Sequence, residues 1–174
     1  MTPHASAGFT FIELVLVCIV LSLLLLASIP RFQQTAQRLR LEHTAFGLAQ
    51  LLRAAHERAI AEQREVVWAW DGGARRAQLY AVSMTTEVPM GEPIEERAAQ
   101  SPPLAEGMAL TVEYQAQPVG CPIGVADGAA CIRFLPDGTS EPALVSISAQ
   151  GHVYTVTVHE ATGQVVLSGG RAAR

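Results

Sequence analysis

Gly8, Phe9 and Glu13 are the residues of this 174-residue chain whose types and spacing promise chemistry. From Phe9 to Ile29 the sequence runs FTFIELVLVCIVLSLLLLASI, 21 residues with a single charged side chain, Glu13. As a helix at ~1.5 Å per residue this stretch spans ~31 Å, about the thickness of a bilayer's hydrocarbon layer. An acid inside such a segment costs roughly 2.5 to 3.5 kcal/mol unless it is paired. No Arg, Lys or His lies within the stretch, so the cation must come from another chain or from processing. Hydrolysis after Gly8 supplies one, because it frees the amine of Phe9 four residues before Glu13.

The rest of the sequence offers little chemistry. Nucleophilic catalysis needs a Ser or Cys with a His and an acid in one pocket, and no GxSxG elbow or comparable context occurs. No glycine-rich loop leads from a strand into a helix, so nucleotide binding is not indicated. His43 and His56 fall on a predicted helix and His152 and His159 on a predicted strand, positions that suit solvated or structural histidines. Cys121 and Cys131 are accompanied by neither CxxC nor clustered histidines, which argues against a metal site. The sequence therefore predicts no catalytic residue, no metal and no cofactor. Twelve arginines, no lysine and sixteen acids give a net charge of −4, which is no basic footprint for nucleic acid.

The elements follow from periodicity. Over residues 31–65, Leu41, Ala45, Leu48, Leu52, Ala55 and Ala59 recur at steps of three and four, the stripe of an amphipathic helix that packs on a sheet or, alternatively, forms a coiled coil with a partner. Gly47 in this helix is read as a mark of close packing. Residues 65–70 and 77–82 flank Asp71-Gly72-Gly73 and predict a β-hairpin, with Trp68 and Trp70 on one face. Arg75 and Arg76 beside the turn are expected to form a solvated rim. Residues 83–107, with Pro89, Pro93, Pro102 and Pro103 and a cluster of acids, Glu87, Glu92, Glu95 and Glu96, read as one long loop and a candidate contact surface. Strands are predicted over 108–114, 131–134, 143–148, 152–159 and 164–167. Removal of residues 1–8 leaves enough chain for one modest domain with a small core. The predicted fold class is α+β, a long N-terminal helix, half membrane and half amphipathic, packed on an antiparallel β domain of two small sheets.

The run Gly8-Phe9-Thr10-Phe11-Ile12-Glu13-Leu14 resembles the class III signal of type IV pilins and of the pseudopilins of type II secretion. The resemblance implies cleavage between Gly8 and Phe9 by a prepilin peptidase, N-methylation of Phe9, and pairing of Glu13 with the amine of a neighbouring subunit as helices bundle. Pro30 matches a family proline that loosens the helix. The implied organisation is a leader over 1–8, a transmembrane assembly helix over 9–30, its amphipathic continuation over 31–65, and a periplasmic β domain over 66–174. The leader MTPHASAG lacks Lys and Arg, whereas Arg31, Arg38 and Arg40 follow the apolar run. The positive-inside rule alone would place the C-terminal side in the cytoplasm. The resemblance reverses this, giving a single-pass inner-membrane protein whose C-terminal domain lies in the periplasm.

The C-terminal run FLPDGTSEPALVSIS, with VYTVTV and ATGQVVL, is similar to the last strands of the GspH/FimT group. Together the two resemblances imply a structural minor pseudopilin of a type II secretion system, not an enzyme. Its implied partners are other pseudopilins or minor pilins met through the N-terminal helix, the prepilin peptidase, the inner-membrane assembly platform and the lipid bilayer. The alternative is a FimT/FimU-type minor pilin of a type IV pilus. Some of those act as DNA receptors through basic C-terminal residues, here Arg171 and Arg174, which supply at most a couple of phosphate contacts. An oxidising periplasm makes Cys121 and Cys131 a candidate disulfide worth roughly 2 to 3 kcal/mol, with two free thiols as the alternative. Major pseudopilins bind calcium in a C-terminal loop, but residues 160–174 hold one acid, Glu160, too few oxygen ligands for that site.

Overall fold

The computed structural model describes residues 10–85 and 88–171, with the side chains of residues 26–34, 84–88 and 170–171 outside the description. One helix, α1 (Phe11–Glu62), is followed by eight strands: β1 (Val66–Asp71), β2 (Arg76–Thr85), β3 (Val88–Pro93), β4 (Ala109–Tyr114), β5 (Ala130–Phe134), β6 (Ala143–Ala149), β7 (His152–Val158) and β8 (Val165–Arg171). A 3-10 turn spans Arg97–Ala99. The helix assignment continues through Pro30. The chain divides into two compact units between Leu39 and Arg40.

In the second unit the predicted stripe of α1 faces inward. Leu41, Ala45, Leu48, Leu52, Ala55 and Ala59 are all buried, joined by Ala49 and Leu51. They share one core with Val66, Trp68, Leu79, Ile132 and Phe134 of a first sheet and Val145, Ile147, Val156 and Val158 of a second. Burying each large side chain contributes ~1.5 to 3 kcal/mol, and the alanines let the helix approach both sheets closely. The stripe is thus satisfied within the chain, which removes the coiled-coil alternative for it.

Both sheets are four-stranded, in the orders β3-β2-β1-β5 and β4-β6-β7-β8, with every pairing antiparallel. The β1–β2 hairpin sets Trp68 against Leu79, and its turn is held by the Asp71 carboxylate, which accepts the amides of Gly73 and Ala74 at 2.8 and 3.0 Å. In β7 the period-two alternation sends Val156 and Val158 into the core.

Three local expectations are corrected and one is extended. The proline-rich stretch 83–107 is not one loop: β3 runs along β2, and Pro89 and Pro93 fit it because of where they sit. The amide of Ile94 bonds to Leu79, so by alternation residues 89, 91 and 93 turn their backbone groups away from β2. Proline at 89 and 93 therefore costs no ladder bond and leaves no edge donor. Gly47 marks no close packing, since a Cβ there would meet nothing within 4 Å. Arg75 and Arg76 are exposed, as a solvated rim is, and the Arg75 guanidinium in addition donates to the carbonyls of Ala105 (3.0 Å) and Met108 (2.9 Å), pinning the chain before β4. Finally, β8 extends past the expected Leu167 through two glycines. A Cβ on Gly169 would stand 2.4 Å from Cε1 of Tyr154, so glycine there gives the Tyr154 ring its room.

The far edge of the first sheet is capped by side chains. The hydroxyl of Tyr114 donates to the carbonyl of Cys131 and accepts its amide, both at 2.9 Å. One residue pair further along β5, the Glu141 carboxylate accepts the Arg133 amide at 3.2 Å, while the Glu141 amide donates to the Arg133 carbonyl at 3.0 Å. Burial raises the Tyr114 hydroxyl above the ordinary tyrosine range, against the opposing bond to Cys131. A raised value in the folded state means a contribution fully present below pH about 10 and lost as pH climbs through the higher folded value. Tyr114→Phe leaves two partly buried backbone groups unpaired. We expect it to cost about 1 to 3 kcal/mol, read as a fall in Tm of several degrees by circular dichroism on the full chain in detergent.

Candidate functional site

The first unit carries the residues with the most to gain from a partner. At its start the carbonyl of Thr10 accepts the amides of Glu13 (3.1 Å) and Leu14 (3.3 Å), opening α1 with Glu13 in the first turn. A carboxylate there complements the partial positive charge of the helix N-terminus. From Phe11 to Leu25 the large apolar side chains are exposed, including Phe11 at 83% and Leu25 at 68%. The hydroxyl of Ser22 donates to the carbonyl of Cys18 at 2.7 Å, so the run's polar side chain is satisfied inside the helix. Glu13 has no ion-pair partner among the described residues. The run is therefore an exposed apolar surface bearing one carboxylate. Among the described residues no helix is long and apolar enough to cross a membrane. The described side chains of the run end at Leu25.

Gly8 and Phe9, the expected processing site, lie outside the described residues, as does Arg174. Pro30 lies within α1 and Arg171 ends β8, and neither side chain is described. Cys121 and Cys131 are joined by a disulfide, with their Cα atoms 5.4 Å apart. Cys18 is free and exposed. No group of His, Cys, Asp and Glu among the described residues could hold a metal ion.

The second unit has a cleft of about 430 Å³ between α1 and residues 98–104, lined by His43, Gly47, Leu51, Trp70, Pro102 and Leu104 among others, and another of about 390 Å³ along residues 121–129. The lining of the first is mainly apolar; its one titratable side chain is His43, no acid lines it, and its hydroxyls are engaged with backbone, Thr44 with the Arg40 carbonyl and Ser101 with the Ala77 amide. It can hold an apolar group, but it has no constellation for catalysis. His56 is structural: its Nε2 lies 3.1 Å from the Gly138 carbonyl and its ring is tilted on Phe134, with centroids 6.1 Å apart.

Sequence reasoning missed the ion pairs that tie the second unit together. Arg133 pairs with Glu65 across the first sheet. Arg58 bonds Glu62 at 2.6 Å and Glu96 at 2.8 Å, fastening the end of α1 to the chain after β3. Glu96 and then Glu62 raise Arg58 above its ordinary value, and Arg58 in turn holds Glu62 below the usual carboxylate range. Because Glu62 is depressed, its contribution is present above the ordinary carboxylate value and fades as pH falls through the lower folded one. These groups are solvated, so their effect on stability is small. Only the i,i+4 spacing of Arg58 and Glu62 was visible in the sequence as a signal.

Residues 44–163 match the family described as type II transport protein GspH. Among solved structures, two of the minor pseudopilin EpsH from the type 2 secretion system of Vibrio cholerae are similar. One has TM-score 0.54 and 20% identity, covering 76% of this chain and 95% of that one. The other has TM-score 0.53 and 20% identity, covering 74% and 94%. The type IV minor pilin FimU of Pseudomonas aeruginosa aligns with TM-score 0.49 and 12% identity, covering 78% of this chain and 96% of FimU. No curated protein matches the chain in sequence. The EpsH likeness establishes a shared fold, and the family match rests on the sequence of the second unit.

Proposed function

We propose that this chain, which belongs to the GspH family of type II transport proteins, serves as a minor pseudopilin processed between Gly8 and Phe9 and assembled into a periplasmic pseudopilus. The family is structural rather than enzymatic, and the observation that carries the proposal is the exposed apolar run Phe11–Leu25 with Glu13 as its one charge. In the membrane the run is covered by lipid, and in the pseudopilus by the helices of neighbouring subunits. Because lipid already keeps the run out of water, close packing against neighbouring helices and the pairing of Glu13, not the removal of apolar surface from water, favour the bundle.

Glu13 gives the bundle its register. Sliding one helix along another keeps apolar contacts nearly equal, but it breaks the pair between Glu13 and the neighbour's Phe9 amine. Inside a bundle of apolar helices an unpaired charge costs several kcal/mol, so one axial position is favoured over its alternatives. Methylation of the amine preserves its charge. The second unit, with its two sheets, forms the periplasmic surface that meets other subunits.

Mass spectrometry of the chain purified from cells with an active prepilin peptidase tests the processing step. The expected product begins at N-methylated Phe9. A chain retaining Met1 to Gly8 under those conditions would overturn it.

A further inference from the structure

The first sheet has a second, smaller core on the side away from α1. Val66 and Trp68 point toward the helix, so Val67 and Ala69 point the other way. There they cluster with Val82 and Cys131, and Tyr80 and Val125 pack against them. Val125 belongs to no strand: it comes from residues 121–129, the segment closed by the Cys121–Cys131 bridge.

This segment reaches across the whole sheet. It starts at Cys121, bonded to Cys131 on β5, meets β3 two residues later through Ile123, and returns to β5 at Ala130. These strands are the opposite edges of the order β3-β2-β1-β5. At β3 the amide of Gly91 donates to Ile123 at 2.7 Å and the amide of Ile123 donates to Pro89 at 3.2 Å. Pro89 and Pro93 have no amide hydrogen, so the Ile123 contact occupies the outward donor among residues 89, 91 and 93. The fit there is tight. A Cβ on Gly124, whose φ is +95°, would stand 2.7 Å from the Gly91 carbonyl oxygen, so the two glycines form the contact. Pro122 is buried and Val125 half-buried, while Ile123, Gly124 and residues 126–128 are exposed.

We propose that the Cys121–Cys131 bridge is the clasp of a redox-operated strap: bridged, residues 121–129 close the outer face of the first sheet and the edge of β3, and reduced, they lift and leave both open. The exchange balances with an external dithiol, which gives two electrons and two protons to make two cysteine thiols and itself becomes a disulfide. Closure runs in reverse, with an external disulfide as oxidant. Cys121 is exposed and Cys131 buried, so exchange starts at the Cys121 sulfur. Small local openings of this kind need not disturb the main core, which shares no residue with the outer cluster. The subunit's surface then becomes complete only once the domain has been oxidised.

Amide hydrogen exchange on the full chain in detergent micelles tests this in three samples: oxidised, reduced, and Cys121→Ser/Cys131→Ser without reductant. The amides of Gly91 and Ile123 are expected to exchange about ten-fold faster, or more, in the reduced and double-serine samples, with Val145 and Val156 unchanged. Unchanged Gly91 and Ile123 rates would show that the strap stays closed without its clasp. A rise shared by all four amides would make the bridge a staple of the whole domain. Either result overturns the proposal. The double variant keeps Cys18, so an effect seen with reductant but absent from the variant also overturns it.

Discussion

Glu13→Ala is expected to abolish incorporation of the chain into pseudopili while leaving its level in the membrane unchanged. The substitution removes a charge from an apolar run, so insertion becomes easier rather than harder. In the bundle it strands the amine of a neighbouring Phe9 without its counter-charge, and truncating one member of a buried ion pair costs ~3 to 5 kcal/mol. Since ~1.4 kcal/mol is a factor of ten, incorporation should fall by at least a hundred-fold. Immunoblots of membranes and of purified pseudopili, side by side, give the reading. A Glu13→Ala chain present in pseudopili at the wild-type level would remove the pairing mechanism.

Phe134→Ala should have the largest effect on the second unit. Phe134 is fully buried in the cluster that joins α1 to both sheets, and its ring meets that of His56. Losing the ring removes its transfer energy and leaves a cavity, together about 3 to 5 kcal/mol. For a domain of this size the Tm should fall by roughly 10 °C or more, followed by circular dichroism on the full chain in detergent. A fall of a degree or two would mean that the cluster repacks around the gap and that Phe134 is not central to it.

Much of the fold was legible because its signals are local and periodic. The stripe from Leu41 to Ala59 repeats at helical spacing, and HVYTVTV alternates at strand spacing, so each announces its buried face without knowledge of the rest. The Asp71-Gly72-Gly73 turn is likewise written in adjacent residues. β3 was not legible because proline is a strand breaker everywhere except on an edge with its nitrogen turned outward. Whether a strand is an edge is decided by the order of the sheet rather than by its own residues. Gly47 failed for a related reason: a glycine in a helix reports either close approach or open space, and only the neighbours distinguish them.

The candidate sites divide in the same way. Glu13 stood out because a lone acid in an apolar run is an energetic anomaly within a dozen residues. The bonds from Tyr114 to Cys131, from Glu141 to Arg133 and from Arg75 to Ala105 and Met108 left no such trace. Each joins one side chain to backbone groups between 8 and 33 residues away, and the backbone acceptor or donor is the same whatever residue carries it. The strap combines both kinds. Its cysteines are conspicuous in the sequence, but its contact with β3 lies between Gly91 and Gly124, two residues that advertise nothing.

As proposed, this chain is a pseudopilus subunit held by its N-terminal helix. Purification of assembled pseudopili through an affinity tag on a different subunit, followed by quantitative mass spectrometry, tests it most directly. The chain should copurify in small proportion to the tagged subunit, with a first peptide that begins at Phe9. Pseudopili that assemble in cells producing the chain but contain none of it would contradict the account.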